Sequence, residues 1–283
     1  MNSIEIVFYA LPGIEWLELT GAEQPTGQII NSQGQYRARV EATSQTSKKF
    51  NRPYLRVEAR LPFEVRWGDS FQIKFSGCEL PAPLRVIYPG AGQIKKIKSE
   101  ERFIKWLDRY ADGEEAMLLA LTEEAGLKGL REPEMEAFCR LPSSELSRLA
   151  MNLEKRGKLF ILEFSPLFLL SQKSFDFLAG KIMSFVETYH QRRPAETGPS
   201  IKKVKERFRL PKPVLLLALN RLLKDGQLEI SGEHIQRQGF ETSLSKEEGE
   251  IMRAIEKMLL EQKFSASSLE ELARKFKVHP SRL

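Results

Sequence analysis

The chain has 283 residues, 41% of them hydrophobic, and a formal net charge of +6, enough apolar material for two or three domains of about 100–200 residues and a bias toward polyanionic partners. Two cysteines, Cys78 and Cys139, far apart and in no CxxC pattern, argue against an oxidised secreted domain and for a reducing cytoplasm. The start lacks a basic n-region and no apolar run approaches the roughly 20 residues of a bilayer span, so a cytoplasmic protein without a membrane partner is expected.

From Ile4 to about Ile87, short apolar runs alternate with period two between Gly and Pro punctuation. IEIVFYAL, GQII, YRARVEA, YLRVEARLPFEV and FQIKF read as strands, with PG, TG, QGQ and GD as turns. Several short strands without an intervening helix predict a small antiparallel barrel over residues 1–95. Lys95, Lys96 and Lys98 read as linker solvation.

From Ser99 onward the apolar spacing becomes helical, as in FIKWL, AMLLAL, FLAGKIMSFVETY and IMRAIEKMLL. Aligned against itself with a shift of sixty-nine residues, Lys128–Leu159 lies on Thr197–Leu228 without a gap. Gly129, Leu141, Pro142, Leu146, Leu153, Gly157 and Leu159 meet Gly198, Leu210, Pro211, Leu215, Leu222, Gly226 and Leu228. Each Leu-Pro pair separates two helices, because proline fixes φ and is welcome in a first helical turn. The leucines form the buried stripe of the second helix, and Gly157 and Gly226 are stop signals at its C-terminal end. KLFIL and QLEIS then read as strands, which completes the order of a winged helix-turn-helix. The expectation is multidomain α+β: the barrel, winged helices over 99–166 and 171–237, and a truncated third over 240–283. EEGEIMRAIEKMLLEQ and SLEELARKF would supply the helices of the third, and FKVHPSRL its turn.

Catalytic motifs are sparse. Neither GxxxxGK[ST] nor GxGxxG occurs, and His190, His234 and His279 show no metal-ligand spacing. His190 reads as a helix-end residue and Cys139 as a buried structural thiol. Glu114-Glu115, Glu123-Glu124 and Glu247-Glu248 read as solvated faces. The expectation is a non-enzyme that holds no cofactor or metal.

The basic clusters carry more. Lys202, Lys203, Lys205, Arg207, Arg209 and Lys212 stand near one acid, Glu206, with Arg192 and Arg193 upstream. Such a run on the turn side of a winged helix could contact phosphates; a solvated helix face is the alternative, and the sequence leaves both open. Lys212–Lys224 is so rich in leucine that only Asn220, Arg221 and Lys224, interrupted by Leu217, form a polar strip. That predicts a helix buried on both sides and speaks against base reading. In the first copy, Glu145 and Glu154 among Arg148, Lys155 and Arg156 would repel phosphate.

The segment RPYLRVEARLPFEVRWGDSFQIKF resembles the third β-barrel of the selenocysteine-specific elongation factor (SelB-type), a domain like domain 3 of elongation factor Tu. Leu55, Arg56, Glu58, Pro62, Val65, Gly68, Asp69 and Phe71 fall into its LRLE…P…V..GDRF pattern. IINSQGQYRARVEA resembles a strand pair of that barrel, and FIKWLDRY, LEKRGKL, Tyr189-His190 and QGFETSLSKEE resemble the tandem winged helices that follow it. Ser70 stands where the family usually has arginine, and FSGCELPAPLRVIYP replaces its glycine-rich turn. The resemblance implies a non-catalytic part of a translation factor for selenocysteine incorporation at UGA codons. GTP would be bound by a domain not encoded here, and the final winged helix that grips the mRNA insertion hairpin would be missing. The implied partners are selenocysteyl-tRNA, the mRNA hairpin, the ribosome and a separately encoded GTPase subunit, with Arg37, Arg39, Arg56 and Arg66 of the barrel as candidate tRNA contacts. A winged-helix DNA-binding regulator and a protein-interaction scaffold are the competing readings.

Overall fold

A computed structural model describes residues 4–12, 26–75, 80–90, 99–242, 246–261 and 269–276. Cys78, Lys95, Lys96, Lys98, His279 and the turn expected after Phe276 lie outside them. The N-terminal strands are β1 (Ile4–Pro12), β2 (Thr26–Asn31), β3 (Gly34–Ala42), β4 (Leu55–Leu61), β5 (Ser70–Phe75) and β6 (Ala82–Pro89). They close into an antiparallel barrel in the order β1-β4-β3-β2-β5-β6. The alternation seen in the sequence fills it: Phe8, Ile29, Val40, Val57, Ile73 and Val86 point inward and are fully or almost fully buried. Between β2 and β3, Asn31 Oδ1 accepts from the N–H groups of Gln33 and Gly34 at 2.9 and 3.1 Å, an Asx turn.

Two strand expectations change. The run read as YLRVEARLPFEV ends its strand at Leu61, because Pro62 has no N–H for the ladder, although Val65 and Trp67 beyond it are buried. β6 was not expected, since Pro81 and Pro83 disguise it. It closes the barrel by pairing Ser70–Ile73 of β5 on one side and Phe8–Pro12 of β1 on the other.

Next come α1 (Glu100–Ala111), α2 (Glu114–Ala125), β7 (Leu130–Arg131), α3 (Glu132–Phe138), α4 (Ser143–Lys155), β8 (Leu159–Phe164) and β9 (Leu167–Ser171). The three strands form a sheet in the order β7-β9-β8, the wing of a winged helix. This module and the barrel lie in one compact unit, Met1–Asp176. Their shared core is aromatic. Tyr9 and Tyr88 are register partners on β1 and β6; Tyr88 meets Trp106, Tyr110 and Phe138 at centroid distances of 4.5, 5.2 and 5.4 Å, and Tyr9 meets Phe103 at 5.1 Å. Polar contacts pin the same seam. Tyr54 Oη donates to Asp108 Oδ1 at 2.7 Å, the Trp67 indole N–H to the Tyr110 carbonyl at 2.8 Å, and the Trp67 backbone N–H to the Phe138 carbonyl at 2.8 Å.

α5 (Gln172–Arg192) leads into the second unit, Phe177–Leu283, with α6 (Ile201–Phe208), α7 (Lys212–Lys224), β10 (Leu228–Ser231), β11 (His234–Arg237), α8 (Lys246–Glu261) and α9 (Leu269–Phe276). α8 and α9 are the two helices expected of the third copy.

The internal repeat holds at the level of individual bonds. α4 and α7 span positions related by the same sixty-nine-residue shift. Leu146 N–H bonds to the Pro142 carbonyl as Leu215 does to Pro211; Lys158 N–H bonds to Leu153 as Gln227 does to Leu222. Gly157 and Gly226 share φ = 65°, the left-handed stop expected of them. Gly129 and Gly198 do something else. A Cβ at Gly129 would lie 2.4 Å from the Phe168 ring and 2.9 Å from the Leu169 carbonyl oxygen; at Gly198 it would lie 2.1 Å from the Ile235 carbonyl oxygen. In both copies the wing strand rests directly on the chain that enters the turn helix.

Gly129→Ala and Gly198→Ala should therefore each destabilise their own unit by about 2–3 kcal/mol, through the clash and the positive φ. Gly157→Ala, whose Cβ would meet nothing within 4 Å, should cost about 1 kcal/mol. Amide hydrogen exchange resolved by unit checks both; equal losses at Gly157 and Gly198 would contradict this account.

Candidate nucleic-acid interface

The two modules differ at the turn between their helices. In the first, Cys139 is extended and bridges Trp67, and Arg140 Nε donates to Asp69 Oδ1 at 2.9 Å. The turn is thus tied to the barrel, although Arg140, Pro142 and Ser143 stay exposed. Arg148 and Arg156 pair with Glu145 and Glu115. Cys139 is buried, its thiol donates to the Met135 carbonyl at 3.3 Å, and burial pushes its pKa up, so it is the inert structural cysteine expected. In the second module, Arg209, the counterpart of Arg140 and exposed like it, has φ = 48° and no carboxylate partner among the described residues.

The second module carries a basic cleft between α5 and α6. On α5, Lys181, Ser184, Phe185, Thr188 and Arg192 recur at spacings of three and four and so share one face. On α6, whose start is capped by the Ser200 hydroxyl accepting from Lys203 N–H at 3.2 Å, Lys203 and Arg207 are four apart and face it. The cavity is about 610 Å³. Lys181, Arg192, Arg193, Lys203 and Arg207 line it, without a carboxylate among the described lining residues. Phe185, Tyr189 and Phe208 add half-buried rings. Arg193 pairs with Glu196 at 2.8 Å, whereas Arg192 and Arg207 have no carboxylate partner among the described residues. Lys203 and Arg193 stand 4.9 and 5.6 Å from the centre of the Tyr189 ring, and the Tyr189 hydroxyl donates to Glu196.

Of the six expected contacts here, Lys203 and Arg207 line the cleft, while Lys202, Lys205, Arg209 and Lys212 are exposed outside it. Lys181 was not anticipated, because its place opposite α6 depends on helix packing. On α7, Val214, Leu215, Ala218, Leu219 and Leu222 are buried and Lys212, Leu216, Asn220, Arg221 and Lys224 exposed. The helix is one-sided and not buried on both sides. The leucine that interrupts its polar strip is Leu216, one turn before Asn220, while Leu217 is half-buried. In the barrel, Arg37 and Arg39 are exposed on β3; Arg56 pairs with Glu58 and with Glu41 at 3.5 Å; Arg66 pairs with Glu64 at 3.0 Å. The four do not form one cationic patch, since carboxylates on the same strands and loops intervene.

His190, at the end of α5, anchors the segment that leads to α6. It is buried, stacks on Phe240 at a centroid distance of 3.6 Å, and its Nε2 donates to the Thr197 carbonyl at 3.1 Å. Burial lowers its pKa below the ordinary 6.5, the Thr197 bond opposes this, and the Arg237 charge adds to it. The fold favours the neutral ring, so its contribution is present above pH 6.5 and lost as pH falls below 6.5 through the lowered folded value. His190→Gln, which keeps an N–H donor, should flatten this acid-side loss in unit-resolved exchange; an unchanged pH dependence would exclude His190 as its source.

Among the described residues, no helix is long and apolar enough to cross a membrane. The family described as "Elongation factor SelB, winged helix" matches residues 183–236, from the second half of α5 through α6 and α7 to the wing. The resemblance to a SelB-type factor holds at this module. A crystal structure of a bacterial selenocysteine-specific elongation factor, EF-Sec, is similar at 15% identity and a TM-score of 0.49, over 95% of this chain and 39% of that one. No curated protein sequence matches the chain.

Proposed function

We propose that the chain is a non-catalytic RNA-binding arm of a selenocysteine elongation factor, with GTP hydrolysis on a separate domain or subunit. One coincidence carries the reading: the segment with SelB winged-helix sequence contains every residue lining the basic cleft except Lys181. Its partners on this reading are selenocysteyl-tRNA, the mRNA insertion hairpin and the ribosome, in the cytoplasm. On this reading the exposed Arg37 adds a phosphate contact from the barrel, whereas Arg56 and Arg66 would first have to leave their carboxylates. α7 argues against the DNA-regulator reading, because a base-reading helix needs a polar face and Leu216 sits in the middle of this one.

The full chain should be titrated with selenocysteine tRNA, serine tRNA, an insertion hairpin and random duplex DNA at several salt concentrations. Selenocysteine tRNA or the hairpin should bind at least about tenfold tighter than the other two, roughly 1.4 kcal/mol. Equal, weak affinity for all four would remove this function from the chain.

A further inference from the structure

The sixty-nine-residue register aligns the residues of the second module's cleft with positions of the first module. Lys203 corresponds to Glu134, and carrying the shift back through the preceding helix sets Arg192 on Glu123 and Arg193 on Glu124. Two copies of one fold thus place opposite charges at the same positions. Glu134 accepts from the Arg131 N–H at 2.9 Å, and Glu123 pairs with Arg109 and Lys173, so the acidic version serves the fold of its own copy. The architecture thus forms with either sign at these positions, and Arg192 and Lys203 have no carboxylate partner among the described residues of the second copy.

We infer that the α5–α6 cleft is a site for single-stranded RNA, seating roughly one or two nucleotides in its 610 Å³. Phosphates lie along Lys181, Arg192, Lys203 and Arg207, and bases rest against Phe185 and Phe208, which meet edge to face at 6.1 Å. A cationic groove floored by aromatic rings is the arrangement that holds unpaired strands with little sequence preference. A cleft between two helices has no projecting element to enter a duplex groove, whereas a single strand turns its bases inward. An acidic peptide would use the cations and leave the rings without a role. The choice of RNA rests on the RNA-arm reading above.

The test uses the full chain and the probes oligo(U) RNA, a self-complementary RNA duplex of equal length and polyglutamate. A seat of one or two nucleotides offers two or three phosphates, which predicts a slope of log K against log salt of about −1.4 to −2.1 for the single strand, from roughly −0.7 per phosphate. The charge-reversed variant Arg192→Glu/Lys203→Glu writes the first module's residues into the second. It should fold, lower oligo(U) affinity at least about tenfold and make the slope shallower by about 0.7 or more. The control Lys202→Glu/Lys205→Glu, with the same change in net charge outside the cleft, should retain most of the affinity. Equal losses in both variants would reduce the effect to diffuse charge and overturn the site. So would tighter binding of the duplex or of polyglutamate. Loss of oligo(U) with unchanged discrimination among the tRNAs and the hairpin upholds the cleft and separates it from the selenocysteine reading; an intact cleft signal with no discrimination sinks that reading alone.

Discussion

Two glycines set the geometry on which the rest depends. At Gly129 and Gly198 the wing strand lies so close that even a methyl group would overlap its carbonyl or its neighbouring ring. That contact determines where the turn helix of each module begins, and so how α6 faces α5. Close approach of backbone to backbone is a steric condition indifferent to surface charge, which is why both modules keep it while their polar residues diverge.

In the first unit the barrel keeps its own interior core, and a second core joins its outer face to the winged helix. Tyr9 and Tyr88 stand side by side on adjacent strands and present an aromatic surface outside the barrel, against which Phe103, Trp106, Tyr110 and Phe138 pack. Asp69 and the Trp67 backbone then take up Arg140 and the Phe138 carbonyl, so the first module's turn is built into the barrel. The second module's counterpart, Arg209, has no carboxylate partner among the described residues. The two copies thus differ in whether the turn arginine is held by an acid.

Much of the candidate site was legible along the chain, and some of it was not. The density of lysine and arginine between Ser200 and Pro213 marked α6, but a run of charges on a short helix points in several directions at once. Packing against α5 selects Lys203 and Arg207 and adds Lys181, while Lys202 and Lys205 fall elsewhere. A signal for the selection was present in the repeat itself, in the exchange of Glu134 for Lys203, and becomes meaningful only once Lys203 is known to line the cleft. The barrel arginines illustrate the opposite case: strand charges looked available, yet Arg56 and Arg66 are held by acids that alternation had placed beside them. Leu216 was hidden for a similar reason, since a helix with six leucines shows its solvent side only when its partners are known.

Read alone, the chain determined the alternation that fills a barrel, the QGQ turn between its strands, and the Leu-Pro and glycine marks of a duplicated winged helix. These are properties of neighbouring residues, controlled by local backbone preference and by period. Tertiary structure decided the closure of the barrel by β6, whose prolines conceal it, the docking of one module on that barrel, and the pairing of α5 with α6 into a basic cleft. Each of those brings together residues far apart in sequence, and the free energy that selects them comes from surfaces no single segment contains.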